Sequence, residues 1–324
     1  MTVVVRPQES EDPVAAVLAA HEAGRSLTLA TSGTSTGASR EVLRSTESWW
    51  SSFAAYTSLA RLTPGSRLWV PGPTSATMNL FALVHARVTG VTVVEGPVRA
   101  TAACLTPAQL RRAIPDLRPG TVVVVAGAEL PTSLAARAEA HGIEIEHYYG
   151  AAELSFVAWA SGDGLRPFPG VEIEVRDRPD DRTIWVRSPY LSDGYVGSPG
   201  ALLTDADGWA TVGDLGAFAD GRLTVLGRPD AIVTAGTTVL AADVEAALAP
   251  IAHGEFAVHA SAHPTLGQVV SVTHVLASDR SRLDEWARGH LPATHRPRRW
   301  QLVDELPVTP AGKLDRAHLS LGAR

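Results

Sequence analysis

Residues 31–40 read TSGTSTGASR and carry the residue types that suit a bound phosphate. The glycines Gly33 and Gly37 let backbone N–H groups come close to an anion, and six Ser or Thr hydroxyls add hydrogen-bond donors. Arg40 adds a permanent positive charge. The spacing differs from the mononucleotide P-loop, which requires G-x-x-x-x-G-K-[ST]. A polar connector without a ligand explains the same composition, so both interpretations remain open at this point.

Two further segments follow predicted strands. AGAELP (126–131) is a small-residue turn at the end of an apolar run, where ligands of open α/β sheets bind. HYYGAAE (147–153) offers Tyr149 for stacking on a purine and Glu153 as a ligand for Mg²⁺ beside phosphates. The first could also be an ordinary strand-to-helix turn. In the second, core tyrosines could precede a glutamate near the start of a helix.

Three more segments lie further along the chain. TVGDLG (211–216) places Asp214 in a glycine-flanked turn, which suits a ribose diol but also an Asx-turn without a ligand. GRPD (227–230) offers Arg228 at a domain junction, or in a linker salt bridge. GKLDR (312–316) exposes Lys313 on a turn. None of the three indicates a function by itself.

The elements that would position these segments alternate between β-rich runs and amphipathic helical stretches, which predicts an α/β sheet. Strands are predicted over 67–70, 121–126, 143–148 and 171–176, and helices over 13–23, 41–62, 74–88, 107–114 and 132–140. The run 122–125 is apolar at every position, as expected for a strand covered on both faces. From 171 to 225, turn signals between short strands predict a smaller, mostly antiparallel β unit.

After Asp230 the chain restarts as a compact α+β module. The predicted elements there are a helix over 242–249, a strand over 268–277, a helix over 281–289 and a strand over 299–303. We therefore predict a large nucleotide- and acid-binding domain over 1–228 and a C-terminal domain over 229–324 that carries Lys313.

Composition argues against several classes of protein. A net charge of −6 gives no overall attraction to nucleic acid or anionic membranes. The single cysteine, Cys104, excludes an internal disulfide, and no Cys/His group has zinc-ligand spacing. The N-terminus lacks the pattern of a signal peptide, and the apolar runs are too short to span a bilayer. We therefore expect a cytoplasmic protein without nucleic-acid or membrane partners.

Together, and in this order, the segments resemble the AMP-forming acyl-CoA synthetase and adenylate-forming ligase superfamily from about Leu27 to Arg316. TSGTSTGASR is similar to the family's phosphate loop TSGTTG-x-P-K, AGAELP to GGAPL, and YYGAAE to Y-G-x-T-E. DGWATVGDLG followed by DGRLTVLGRPD is similar to D-G-W-x-x-T-G-D-L-G…G-R-x-D, and PVTPAGKLDR to P-x-T-x-x-G-K-x-x-R. Within the family, the short form looks most like o-succinylbenzoate-CoA ligases. The resemblance implies an adenylate-forming ligase fold with a truncated N-terminal region, a small β unit and a mobile C-terminal domain.

The resemblance also implies a role for each matching residue. The residues implied to surround the ATP phosphates are Thr31, Ser32, Gly33, Thr34 and Gly37, with Arg40 in place of the customary lysine. The residues implied to contact adenine are Gly127, Ala128, Glu129 and the stacking Tyr149, and Gly150 is implied to be part of the nucleotide site. The remaining implied roles are Mg²⁺ binding for Glu153, ribose binding for Asp214 and Arg228, α-phosphate contact for Lys313, and the hinge for Asp230.

The implied reaction uses ATP and Mg²⁺ to activate a carboxylic acid as an acyl-adenylate, and then transfers the acyl group to CoA. Two other interpretations remain: transfer to a carrier-protein thiol or an amine, and a non-catalytic nucleotide-binding partner subunit. Ala152 stands where the family usually has threonine, and only thirty residues precede the phosphate loop, so we expect most of the subdomain that the family carries there to be missing. In the family, that subdomain forms part of the wall of the acid-binding pocket. The identity of the acid substrate therefore stays open. A homodimer is one way to cover the surface that its absence would leave bare.

Overall fold

The computed structural model describes residues 4–31, 40–128, 130–160, 164–178, 181–197, 202–227, 231–234, 237–309, 314–315 and 318–319. The chain divides into two compact units, with the main boundary between Thr224 and Val225. The first unit consists mainly of Ala38–Thr224 together with the N-terminal residues, and the second consists mainly of Val225–Thr309. The predicted domain boundary after residue 228 stays a prediction.

The strands are, in chain order, β1 Val4–Val5, β2 Ser26–Thr31, β3 Arg40–Ser45, β4 Arg67–Trp69, β5 Thr92–Val93, β6 Ala102–Leu105, β7 Val122–Val125, β8 Glu144–Ala151, β9 Ser155–Ala160, β10 Leu165–Pro167, β11 Glu172–Arg178, β12 Asp181–Arg187, β13 Gly194–Val196, β14 Leu203–Thr204, β15 Ala210–Thr211, β16 Leu215–Ala219, β17 Arg222–Gly227, β18 Ala231–Thr234, β19 Thr237–Leu240, β20 Phe256–His263, β21 Gly267–His274 and β22 Arg299–Leu302. The α-helices are α1 Pro13–Glu22, α2 Glu47–Trp50, α3 Phe53–Leu59, α4 Thr77–Thr89, α5 Pro107–Ala113, α6 Thr132–Ala140, α7 Ala241–Leu248 and α8 Asp279–His290. Short 3₁₀ turns lie at Pro7–Glu9, Pro97–Arg99 and Ile114–Asp116.

The largest sheet in the described residues has thirteen strands, ordered β14-β15-β12-β16-β17-β10-β9-β8-β7-β6-β4-β5, with β11 beside β12. Strands β5, β4, β6, β7 and β8 pair in parallel, and β8 is antiparallel to β9. This confirms the predicted α/β sheet. The antiparallel strands predicted over 171–225 are also present; apart from β13, they continue this sheet.

Helices α5 and α6 cover one face of the parallel strands. Their Leu110 and Leu134 pack in one core cluster with Val123 and Val125 of β7. Val124 faces the other side of the sheet and is also buried. Burial on both faces accounts for the apolar run of β7, as the sequence predicted.

A second sheet in the first unit has the order β1-β2-β3-β13. Strands β2 and β3 form a hairpin that is paired from Ser26 and Ser45 to Thr31 and Arg40. Residues 32–39, the central part of the predicted phosphate loop, connect these strands and lie outside the described residues.

The helix predicted over 41–62 is wrong in its first part, because Arg40–Ser45 form β3. Helical structure begins only at Glu47. The burial of β3 alternates along the strand, with Val42 and Arg44 buried and their neighbours half-buried. Pairing with β2 on one side and β13 on the other stabilises the extended backbone there. The other predicted helices and strands of this unit match observed elements, with small shifts at their ends.

The second unit contains a sheet of order β19-β18-β21-β20, with β22 parallel to β21. Helices α7 and α8 contribute Val244, Leu248 and Leu283 to a core that includes Val258 and Val270 of the sheet. The predicted helix–strand–helix–strand order is confirmed by α7, β21, α8 and β22, whereas β18, β19 and β20 were not predicted. Among the described residues, no helix is long and apolar enough to cross a membrane.

Candidate functional site

The carboxyl ends of β7 and β8 bring two predicted segments together. The two strands are parallel, and Val125 lies opposite His147. Gly127 and Ala128 therefore leave β7 next to the point where β8 reaches Tyr149. Gly127 has a φ of +88°, a conformation that favours glycine and turns the chain away from the strand. The predicted contact of this turn with adenine stays a prediction.

Tyr149 and Asp214 are in direct contact, although 65 positions separate them in the sequence. The Tyr149 phenol donates a hydrogen bond of 2.6 Å to Oδ2 of Asp214. The carbonyl of Asp214 accepts from the backbone N–H of Ile184 in β12 at 2.8 Å, and the Asp214 residue is only 8% exposed. The structure thus places the residue predicted to stack on adenine beside the residue predicted to bind ribose.

Glu153 lies in the turn between β8 and β9, so the alternative position near the start of a helix is wrong. A β-bulge falls between Tyr149 and Gly150. A Cβ atom at Gly150 would lie 2.1 Å from the carbonyl oxygen of Ser155, so the backbone would have to shift to accept any side chain there. We therefore expect the turn to require glycine at position 150.

The carboxylate of Glu153 is directed inward. The Glu153 residue is 7% exposed, and its Oε1 accepts a hydrogen bond of 2.8 Å from the phenol of Tyr195 in β13. Its backbone carbonyl accepts from the N–H of Ser192 at 2.8 Å. Sequence reasoning singled out Glu153 but not Tyr195.

Arg44 is a second residue that sequence reasoning missed. Its side chain is fully buried, and Nη2 donates to the carbonyl of Ala152 at 2.6 Å. Nη1 donates to Oγ of Ser48 at 3.0 Å. Burial lowers the pKa of the Arg44 guanidinium to about 10, and the charges of Asp193 and Glu153 oppose that shift. The residues of β3, REVLRS, show no polar/apolar alternation that would have revealed this inward-facing position.

The donor set at Glu153 fits a magnesium ion bound together with a nucleotide. Mg²⁺ prefers oxygen ligands and is commonly held by one or two carboxylates together with substrate phosphates. Within the part of the chain that the structure describes, no cluster of three or more His, Cys, Asp or Glu could hold a metal by itself. An ion at Glu153 would therefore depend on phosphate oxygens for its remaining ligands.

The structure describes only part of the predicted site. The predicted residues that lie outside the described residues are Ser32, Gly33, Thr34, Gly37, Glu129, Arg228, Asp230 and Lys313. Thr31 and Arg40 are described as a backbone pair at the end of the β2–β3 hairpin. The roles of all these residues stay predictions.

Comparison with known proteins identifies relatives along most of the chain. Residues 243–313 match the family model for the AMP-binding enzyme C-terminal domain. YhfT of Bacillus subtilis, an uncharacterized acyl-CoA ligase, is 26% identical over 327 residues, which cover 89% of this chain and 67% of that protein. A probable 2-succinylbenzoate-CoA ligase of Mycobacterium tuberculosis is 34% identical over 232 residues, which cover 66% of this chain and 59% of that protein.

The fold also matches solved structures. ATP-bound MatB from Rhodopseudomonas palustris superposes with a TM-score of 0.79 at 23% identity, with 91% of this chain and 67% of that chain covered. This chain therefore spans about three fifths to two thirds of the length of these relatives.

Proposed function

We propose that this chain, which is similar to acyl-CoA ligases along most of its length, activates a carboxylic acid with ATP and transfers the acyl group to CoA. A carboxylate oxygen of the acid attacks the α-phosphorus of ATP, a new C(O)–O–P linkage forms, and pyrophosphate leaves. The thiol sulfur of CoA then attacks the acyl carbon, and AMP leaves as the thioester forms. The contact between Tyr149 and Asp214 is the observation that carries the proposal.

In this proposal the protein contributes position and charge, which dominate phosphoryl-type transfer. The ring of Tyr149 lies under adenine, and its hydroxyl holds the Asp214 carboxylate, whose oxygens accept from the ribose hydroxyls. Glu153 would hold a magnesium ion, which would neutralise phosphate charge. The second domain, 229–324, would move about Asp230 and bring Lys313 to the α-phosphate.

The lysine content of the chain supports the proposed role of Lys313. The sequence has 28 Lys and Arg residues, and Lys313 is its one lysine. Arginine and lysine differ in shape, since the guanidinium is a broad planar fork and the ammonium is a compact point charge. Arginine at every other cationic position, with lysine retained here, suggests that this position requires an ammonium. A partner subunit without catalytic activity would have no such requirement.

The test is carboxylate-dependent exchange of labelled pyrophosphate into ATP, measured over a panel of aryl, succinylbenzoate-like and fatty acids. We expect exchange with at least one acid. Removing one preorganised hydrogen-bond donor that stabilises developing charge typically lowers the rate by about 10²–10³-fold. The exchange rate of Lys313→Ala and of Lys313→Arg should therefore fall by at least about 100-fold. Lys313→Arg is the sharper variant because it keeps the charge and changes only the shape.

The outcomes separate the competing functions. ATP binding without exchange for any acid in the panel would contradict the enzyme proposal and favour a non-catalytic nucleotide-binding subunit. Parent-level exchange in Lys313→Arg would contradict only the requirement for an ammonium. Thioester formation with CoA, compared with a phosphopantetheinyl carrier protein and an amine, would identify the acceptor.

A further inference from the structure

The turn that carries Glu153 is held by groups on or beside the small β2–β3–β13 sheet. Arg44 of β3 donates to the carbonyl of Ala152 at 2.6 Å. The N–H of Ser192, just before β13, donates to the carbonyl of Glu153 at 2.8 Å. The phenol of Tyr195 in β13 donates to Oε1 of Glu153 at 2.8 Å. These bonds hold both the backbone of the turn and its carboxylate.

The same sheet carries the ends of the predicted phosphate loop. Tyr195 lies opposite Val42 of β3 in the strand register. Two residues earlier in β3, Arg40 pairs with Thr31 at the end of β2. Because register fixes the spacing along paired strands, the position of Tyr195 is fixed relative to both ends of the loop.

The direction of the Tyr195 hydroxyl follows from its neighbours. Its oxygen accepts a hydrogen bond from the backbone N–H of Leu202 at 3.3 Å, while its own proton is donated to Glu153. A glutamate side chain loses conformational entropy when it is held in one position. Because the hydrogen bond from Tyr195 already orders the side chain in the free protein, less conformational entropy is lost when the ligand binds.

We propose that Tyr195 is a positioning residue: it orients the Glu153 carboxylate toward a magnesium ion. The inference rests on the proposed function, since it assumes that Glu153 serves a Mg²⁺–ATP complex. Groups that orient a metal ligand typically change metal affinity or activity by about 10–100-fold when they are removed. Loss of the Tyr195 hydroxyl should therefore weaken the response to Mg²⁺ by a similar factor.

The test compares Tyr195→Phe with Tyr190→Phe. Tyr190 is a matched control because its phenol donates one hydrogen bond of 2.7 Å, but to the carbonyl of Pro169 rather than to Glu153. ATP binding is measured by calorimetry over a range of Mg²⁺ concentrations, with thermal unfolding of each variant measured in parallel. We expect Tyr195→Phe to need about 10–100 times more Mg²⁺ for half-maximal enhancement of ATP affinity. Its ATP affinity in EDTA should equal that of the parent, and Tyr190→Phe should match the parent in both conditions.

Each alternative result has a definite meaning. Parent-like Mg²⁺ dependence in Tyr195→Phe would overturn the inference and leave the proposed function intact. An equal shift in Tyr190→Phe would also overturn it, because loss of any nearby phenol would then be sufficient. A parent protein that binds no Mg²⁺–ATP would overturn the proposed function together with this inference.

Discussion

At the scale of single residues, the two carboxylates of the proposed site share one arrangement. Asp214 and Glu153 are almost fully buried, and each accepts a hydrogen bond from a tyrosine phenol. A buried carboxylate is unfavourable unless polar partners compensate for the lost water. The donor is Tyr149 in one case and Tyr195 in the other, and each phenol bonds one carboxylate oxygen. The arrangement makes both carboxylates rigid acceptors before a nucleotide binds.

The position of Glu153 also depends on Gly150. In Gly150→Ala, the new Cβ atom would lie 2.1 Å from the carbonyl oxygen of Ser155, so the β8–β9 turn must shift. Overpacking of this kind typically costs roughly 1–3 kcal/mol of stability. We expect Gly150→Ala to lower the free energy of unfolding in urea by that amount. It should also weaken Mg²⁺–ATP binding by at least about tenfold at temperatures where the protein remains folded, because Glu153 moves with the turn.

Gly289→Ala is the matched control for this substitution. Gly289 lies in α8, and a Cβ atom there would meet nothing within 4 Å. Gly289 is in the last turn of α8, where the preference of helices for alanine over glycine is smaller than the roughly 0.5–1 kcal/mol of a helix interior, so this variant should be neutral or slightly more stable. Parent-like ATP binding by a folded Gly150→Ala protein would show that the turn does not depend on glycine.

At the scale of elements, sequence patterns predicted those parts of the fold in which local signals and tertiary contacts agree. The run 122–125 is apolar throughout and forms β7, and the predicted helix over 132–140 coincides with α6. In β3 the local signals disagree with the tertiary contacts, because Glu41, Leu43 and Arg44 are all favourable helix residues. Pairing with β2 and β13 overrides that preference, as tertiary context commonly does.

The candidate site shows the same limit. Asp214 and Glu153 were recognisable because each stands in a short motif with a turn signal. Tyr195 was not, since its contact with Glu153 joins positions 42 residues apart and depends on the packing of one sheet against the end of another. Arg44 reaches Ala152 across 108 residues for the same reason. Contacts of this range have no local sequence pattern.

The packing of α3 against α4 predicts a dependence of stability on pH. His85 of α4 is fully buried, and its Nε2 lies 2.8 Å from Oγ1 of Thr57 in α3. Burial lowers the pKa of His85 from 6.5 to about 4. In the unfolded chain the imidazole keeps its ordinary pKa, so the unfolded state binds the proton more readily. This residue therefore destabilises the fold progressively as the pH falls from about 6.5 to about 4.

The expected loss is about 3 kcal/mol over that interval, at 1.36 kcal/mol for each pKa unit. We expect this contribution in the difference between the parent and His85→Gln, which cannot titrate at this position. In urea unfolding from pH 7.5 to pH 4, the stability advantage of the parent should shrink, or reverse, as the pH falls. The comparison removes the background of other groups, including His147, whose pKa burial also lowers. A constant difference at every pH would refute the prediction.

At the scale of the whole molecule, each unit has its own hydrophobic core. In the first unit, Leu110 of α5 is fully buried against β6 and β7. In the second, Leu283 of α8 is fully buried against β20 and β21. A domain that moves during a reaction must keep its internal packing while its surroundings change. The proposed movement of 229–324 therefore requires that the second core be stable by itself.

This requirement can be tested by weakening one core at a time. Leu283→Ala and Leu110→Ala each remove a fully buried leucine side chain, at a typical cost of about 2–5 kcal/mol. Backbone hydrogen exchange of the full chain, measured by mass spectrometry, shows which elements lose protection in each variant. We expect Leu283→Ala to raise exchange in β20, β21 and α8 while β6 and β7 keep parent rates, and Leu110→Ala to give the reverse pattern. Raised exchange in both cores for either variant would show that the chain unfolds as one cooperative body, which would contradict independently folded units.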